Sequence, residues 1–134
     1  MVTADLTGLR AWAAVAAVSG GLAVMAGAFA AHGLEARSPG AARLFETGAH
    51  YQMVHALAMI GLLALLRTAK GAALAALIAF TAGMVLFSGS LYAYALTDWR
   101  PLVFVTPFGG TAYIVGWGAL GVAVWRRPGS PQGS

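Results

Sequence analysis

From Ala11 to Ala31 the chain carries no charged side chain. A helix needs about 20 mostly apolar residues to cross the hydrocarbon core of a bilayer. Three further stretches of similar length follow, at 43–66, 72–96 and 102–125. The composition leaves little else to build with: 60% of the 134 residues are hydrophobic and 9% are charged, with a mean hydropathy of +0.78. A soluble domain is about 25% charged, so this chain lacks the polar side chains to cover a water-soluble globule. The expected fold is all-α, an integral membrane four-helix bundle forming one domain over 11–125. A short N-terminal arm, 1–10, precedes it, and a polar, turn-rich tail, 126–134, comes after it. A secretory signal with Ala28-Phe29-Ala30 as cleavage site is the rival for the first stretch, but signal cores run only about 7–15 residues. The length favours a retained helix.

A net charge of +4 and a pI near 10.1 resemble a nucleic-acid footprint. The basic residues are instead scattered at helix ends, without a dense tract or interleaved aromatics, and no nucleic-acid partner is expected. Four spans put both termini on one side. That side holds Arg10, Arg67, Lys70, Arg126 and Arg127 with Asp5; the other holds Arg37, Arg43 and Arg100 with Glu35, Glu46 and Asp98. The excess of basic residues predicts cytoplasmic N and C termini. Trp12, Trp99 and Trp125 fall where an interfacial aromatic belt would sit. With no cysteine, disulfides, thiolate metal sites and thiol catalysis are excluded.

Residues 32–42 read as a loop, with Gly33 as a C-cap for the first helix and Ser38-Pro39-Gly40 as turn chemistry. Residues 67–71 read as a tight turn and 97–101 as a second loop. Small residues recur every four positions as Ala13, Ala17 and Gly21, as Ala23, Gly27 and Ala31, and as Ala75, Ala79 and Gly83. Such stripes let helix backbones approach closely in lipid. The fourth stretch has Pro107 near its start and glycines at 109, 110, 116, 118 and 121.

The second stretch begins polar and ends oily. Arg43, Glu46, His50, Tyr51, Gln52 and His55 precede a run from Ala56 to Leu66 with no polar side chain. Glu46 and His50, at i and i+4, suit a boundary ion pair near a helix start. His50 and His55 diverge by about 140° at 100° per residue and cannot chelate one metal from a regular helix. No metal ligand set and no catalytic residue is assigned. Tyr51, Gln52 and His55 share a face that should turn into the bundle, since lipid offers polar groups no partners. With His32, Ser88, Ser90, Tyr92 and Thr106 they form a candidate polar cluster in the outer half. That cluster either fixes register through interhelical hydrogen bonds or binds a proton or ligand.

Several ordered motifs resemble a known family. They are Gly27-Ala28-Phe29 with Ala31-His32-Gly33-Leu34; Glu46-Thr47-Gly48 with Tyr51-Gln52 and His55-Ala56-Leu57-Ala58; Leu86-Phe87-Ser88-Gly89-Ser90-Leu91-Tyr92; and Thr106-Pro107 with Gly109-Gly110 and Gly116-Trp117. Together they are similar to the small bacterial membrane proteins called domain of unknown function 423, or YgdD-like, and to the eukaryotic transmembrane protein 256 family. The resemblance spans nearly all of 11–125. It implies a multi-pass protein of the bacterial cytoplasmic (inner) membrane and carries no activity, substrate or catalytic residue.

The first functional expectation is therefore a non-enzymatic structural or interaction subunit, packing against itself or a larger membrane complex. The alternatives are transport of a small solute, proton or metal through the polar cluster, and a haem or quinone site. A haem would need an axial ligand such as His32 or His55, and no paired-histidine spacing advertises one.

Overall fold

The computed structural model describes residues 2–126; Met1 and the tail from residue 127 lie outside them. Four helices succeed one another along the chain. Helix α1 runs Val2–Phe29 and ends in a wide, π-type turn over Ala30–Leu34. Helix α2 runs Pro39–Leu63. Helix α3 starts as Lys70–Gly83, widens into a π turn at Met84–Ser88, and finishes as Gly89–Thr97. Helix α4 is Leu102–Trp125. By length and composition Leu6–Leu34, Lys70–Thr97 and Leu102–Trp125 are apolar enough to cross a membrane. Helix α2 is long enough but too polar in its first half to qualify by the same measure.

The boundaries reflect local chemistry. Residues 2–10, read from the sequence as an arm, extend α1 instead. No proline interrupts them, and each added residue gains a backbone hydrogen bond. Gly33 does not cap α1 in the left-handed region, because no described glycine has positive φ. The Phe29 ring packs over it, at 2.7 Å from where a Cβ would stand, and the chain turns by widening, with the Glu35 amide donating to the Ala30 carbonyl. Ser38 caps α2, its hydroxyl accepting from the Ala41 amide at 3.4 Å, and Pro39 takes the first turn, where no donor is needed. Helix α2 ends at Leu63, three residues short of the expected limit, and α3 begins at Lys70. Asp98 closes α3 in the left-handed conformation, φ 52°, its amide donating to the Tyr94 carbonyl. An Asp tolerates that conformation better than most residues.

Helix α1 lies along α2 and α3 along α4, and α2 also runs beside α3. The core is built from Ala56, Met59 and Leu62 of α2 against Ala73, Ala76, Leu77 and Phe80 of α3, with Ala16 and Ala123 closing it. Large apolar side chains point outward, among them Met25, Phe104, Phe108 and Ile114. That inversion of a soluble protein suits a chain whose solvent is lipid.

Small residues do mediate close approach, though not on every face read from the sequence. On α1 the buried stripe is Ala16, Ala23 and Ala30, with Gly20 opposite Ala56; Ala17 and Gly21 are exposed. On α3 Ala75 is exposed, while Gly83 is buried as expected. Rings fill the notches that glycines leave. Tyr113 covers Gly83, Phe80 covers Gly116 and Tyr92 covers Gly48. At Gly109 the backbone of α4 meets that of α3 directly, at Leu86 and Phe87 in the wide turn.

Candidate functional site

A ladder of side-chain hydrogen bonds ties the four helices together. Nearest the α3–α4 loop, the hydroxyls of Ser90 and Thr106 lie 2.7 Å apart. Further along, the Ser88 hydroxyl donates to the Gly48 carbonyl at 2.8 Å and lies 3.3 Å from the Tyr113 hydroxyl, joining α2, α3 and α4. Gln52 links three helices as well. Its amide nitrogen donates to the Ser19 carbonyl of α1, and its oxygen accepts from the Tyr92 hydroxyl of α3, both at 2.9 Å. The deepest rung is His55, which accepts at Nε2 from the Trp117 indole of α4 at 3.1 Å.

The wide turn in α3 makes this geometry available. A π turn adds a residue per turn and so rotates the rest of the helix about its axis. Ser88 and Ser90 are both buried, one facing α2 and the other α4. The Thr106 and Ser90 hydroxyls each also have a carbonyl of their own helix in reach, Leu102 for Thr106 and Phe87 for Ser90. With one proton each, one of the pair donates across to the other while the other donates to its own helix.

His55 is held on every side. A carbonyl only accepts, so Nδ1, 2.6 Å from the Tyr51 carbonyl, carries the proton. An indole N–H only donates, so Nε2 is bare and accepts. The imidazole is thus neutral in the Nδ1–H tautomer. Tyr113 stacks on its face with ring centres 3.5 Å apart and planes 9° from parallel, and Phe80 and Trp117 close the edges. With both nitrogens engaged, this ring is a strut rather than a free base or metal ligand.

Of the candidate residues, Gln52, His55, Ser88, Ser90, Tyr92 and Thr106 belong to the ladder. His32 does not: it is exposed in the wide turn that ends α1. Tyr51 is 43% exposed and contributes its carbonyl; its ring packs on Phe87 at the rim. Glu46 and His50 form no ion pair among the described residues. Both are exposed, and the His50 ring lies edge-on to Tyr51, 5.9 Å between centres. Nor is the cluster confined to the end of the bundle where α2 begins. His55 is about 24 Å along α2 from Pro39, past the helix midpoint, at 1.5 Å per residue. Its partners are not Ser88, Ser90 or His32 but Trp117 and Tyr113, which the sequence alone did not assign to the cluster. Among the described residues no group of three His, Cys, Asp or Glu could hold a metal ion.

The fold and this ladder define a small helical membrane protein with apolar flanks and an internally paired polar interior. Comparison with known sequences places it further. A family profile described as a protein of unknown function, DUF423, matches residues 26–110, and the chain belongs to that family. It is 43% identical over 109 residues to a UPF0382 membrane protein of Haemophilus influenzae, covering 78% of this chain and 85% of that one. It is 38% identical over 118 residues to the UPF0382 membrane protein YwdK of Bacillus subtilis, covering 86% and 96%. With the UPF0382 inner membrane protein YgdD of Escherichia coli it shares 40% identity over 114 residues, 83% of this chain and 86% of that one. No solved structure matches it.

Proposed function

We propose that this protein is a non-enzymatic subunit of the bacterial inner membrane, crossing it four times and packing against a second copy or a larger membrane complex. The observation that carries this reading is the state of the polar interior. Among the described residues, no buried side-chain nitrogen or oxygen lacks a hydrogen-bond partner. Groups that a transport path would use are spent on holding the helices in register. The exposed stripe of α1 adds support, because Ala17 and Gly21 form a close-packing surface that the chain's own helices leave uncovered. The polarity of α2 fits a fourth span, since its buried Gln52 and His55 are turned onto other helices.

In this reading both termini are cytoplasmic, on the five-to-three excess of basic residues at that side. Native mass spectrometry after gentle solubilisation should find the chain in an assembly. Gly21→Leu, at a position where a Cβ meets nothing within 4 Å, should disperse that assembly without lowering the melting temperature. A parent that runs as a monomer and captures no membrane protein would refute the subunit reading. A phosphatase active only outside the cytoplasm, fused after Gln132, should be silent; high activity would reverse the topology.

A further inference from the structure

One pair of polar groups stands outside the ladder. A groove of about 430 Å3 opens between α2 and α4. Tyr51, Tyr113 and Trp117 give it aromatic walls, the exposed Val54 and Ile114 line its lip, and His55 and Gly110 complete the lining. At its mouth sit the His50 imidazole and the Tyr51 hydroxyl. Neither has a hydrogen-bond partner among the described residues; the two rings meet edge-on, and the Tyr51 ring also packs on Phe87.

Their position makes this informative. His50 and Tyr51 lie about 17 Å along α2 from Pro39 at 1.5 Å per residue. With α2 and α4 crossing the membrane, that level faces hydrocarbon. Ile114 at the lip is 73% exposed and Trp117 is 46% exposed, so the groove is entered from the side. An acyl chain filling it would leave an imidazole and a phenol without partners in lipid. The occupant therefore brings polar atoms of its own. It is uncharged, because the lining has no Asp, Glu, Lys or Arg. It is flat where it meets the rings, and it reaches the groove through the bilayer.

We propose that this groove binds the ring of an uncharged, apolar-tailed lipid bearing carbonyl oxygens, the quinone class. The Tyr51 hydroxyl and a His50 ring N–H donate to the carbonyls, the ring lies against Tyr51 and Trp117, and the tail leaves past Val54 and Ile114. The volume is within the range of small-molecule sites, about 300–1,000 Å3. His55 keeps its structural role throughout, since both its nitrogens stay engaged. The proposal rests on α2 and α4 spanning the membrane and is independent of any protein partner.

The test uses the full chain in phosphatidylcholine nanodiscs, with Trp12, Trp99 and Trp125 replaced by phenylalanine so that Trp117 alone reports. This background must melt with the parent. Decylubiquinone is titrated and Trp117 emission followed. The expected result is saturable quenching. Gly110→Leu, where a Cβ meets nothing nearer than Phe87 at 3.9 Å, puts a bulky side chain into the lining and should weaken binding at least tenfold. His50→Ala with Tyr51→Phe removes both donors and should weaken it by roughly fivefold per hydrogen bond lost, with the fold intact. Quenching that rises linearly with quinone in the lipid would show partition alone and overturn the proposal. So would saturable quenching unaltered by the donor-free variant, which decides the matter alone if Gly110→Leu does not fold.

Discussion

Adding a single methyl group at Gly83 should unsettle the centre of the protein. A Cβ there would overlap the Tyr113 ring rather than touch it. Tyr113 is 3% exposed, stacks on His55 at 3.5 Å and shares a hydrogen bond with Ser88. To make room, the ring must leave the stack, the hydroxyl contact or both. Overpacking a well-filled core costs about 1–3 kcal/mol. Stranding the Tyr113 or Ser88 hydroxyl adds about 1–3 kcal/mol. Replacing a mid-helix glycine by alanine returns about 1 kcal/mol of helix propensity. The net for Gly83→Ala is a loss of about 1–5 kcal/mol, or roughly 4–20 °C in melting temperature at about 4 °C per kcal/mol. Gly21→Ala and Gly118→Ala make the comparison internal, because a Cβ at either meets nothing within 4 Å. They should melt at or slightly above the parent. The measurement is thermal unfolding in detergent, monitored by circular dichroism and by loss of the monodisperse peak on size exclusion. If Gly83→Ala melts with the parent while Gly21→Ala falls, the α3–α4 contact has been placed on the wrong face.

The ladder makes three other outcomes testable. Gln52→Leu and Tyr92→Phe should each destabilise, and the double variant should be less than additive by about 0.5–1.5 kcal/mol; strict additivity would mean that the Tyr92–Gln52 bond contributes nothing. Trp117→Phe should leave the His55 Nε2 without a donor, moving its 15N chemical shift while Nδ1 stays protonated, and an unchanged shift would contradict the assigned tautomer. His55→Gln keeps a donor and an acceptor and should fold, whereas His55→Leu, which strands the Trp117 indole, should melt several degrees lower; equal melting of the two would deny the ring its role as a strut.

Three of the four helices were legible because their apolar runs are long and nearly free of charge, a signal that survives ignorance of every contact; α2 was legible from the apolar run Ala56 to Leu66, which begins in its second half. Much of the ladder was legible too, since Gln52, His55, Ser88 and Ser90 have no use for lipid. Its partners were harder to read. The Ser19 carbonyl is a backbone atom and leaves no trace in the sequence. The wide turn at Met84–Ser88 has no proline to announce it, yet it helps decide which way Ser88 and Ser90 point. Trp117 did leave a trace. Unlike Trp12, Trp99 and Trp125 it sits well inside its helix, where an indole N–H needs an acceptor, and the nearest unclaimed ring nitrogen was His55. The face of α1 was ambiguous for a different reason. Alanine and glycine occur all around that helix, so Ala13, Ala17 and Gly21 fit a close-packing stripe as well as Ala16, Gly20 and Ala23 do. Periodicity cannot choose between two stripes of the same residues; the hydrogen bond from Gln52 to Ser19 can, because it fixes the rotation of α1 about its axis.

That choice matters because lipid gives apolar helices no preference for one another. In water, burying the core of Met59, Leu62, Leu77 and Phe80 would itself drive assembly; in a bilayer those side chains are as well solvated by acyl chains as by each other. Discrimination falls to groups that lipid cannot satisfy and to shapes it cannot fill. Interhelical hydrogen bonds in membranes average about 0.6 kcal/mol each, so the six that join Gln52, His55, Ser88 and Ser90 to their partners contribute roughly 4 kcal/mol. A folded domain is stable by only about 5–15 kcal/mol. A one-residue slip of α2 against α3 would remove Gly48 from under Tyr92 and from Ser88 together. The same few residues thus set both the hydrogen bonds and the fit of ring into notch, and a register that loses one loses the other.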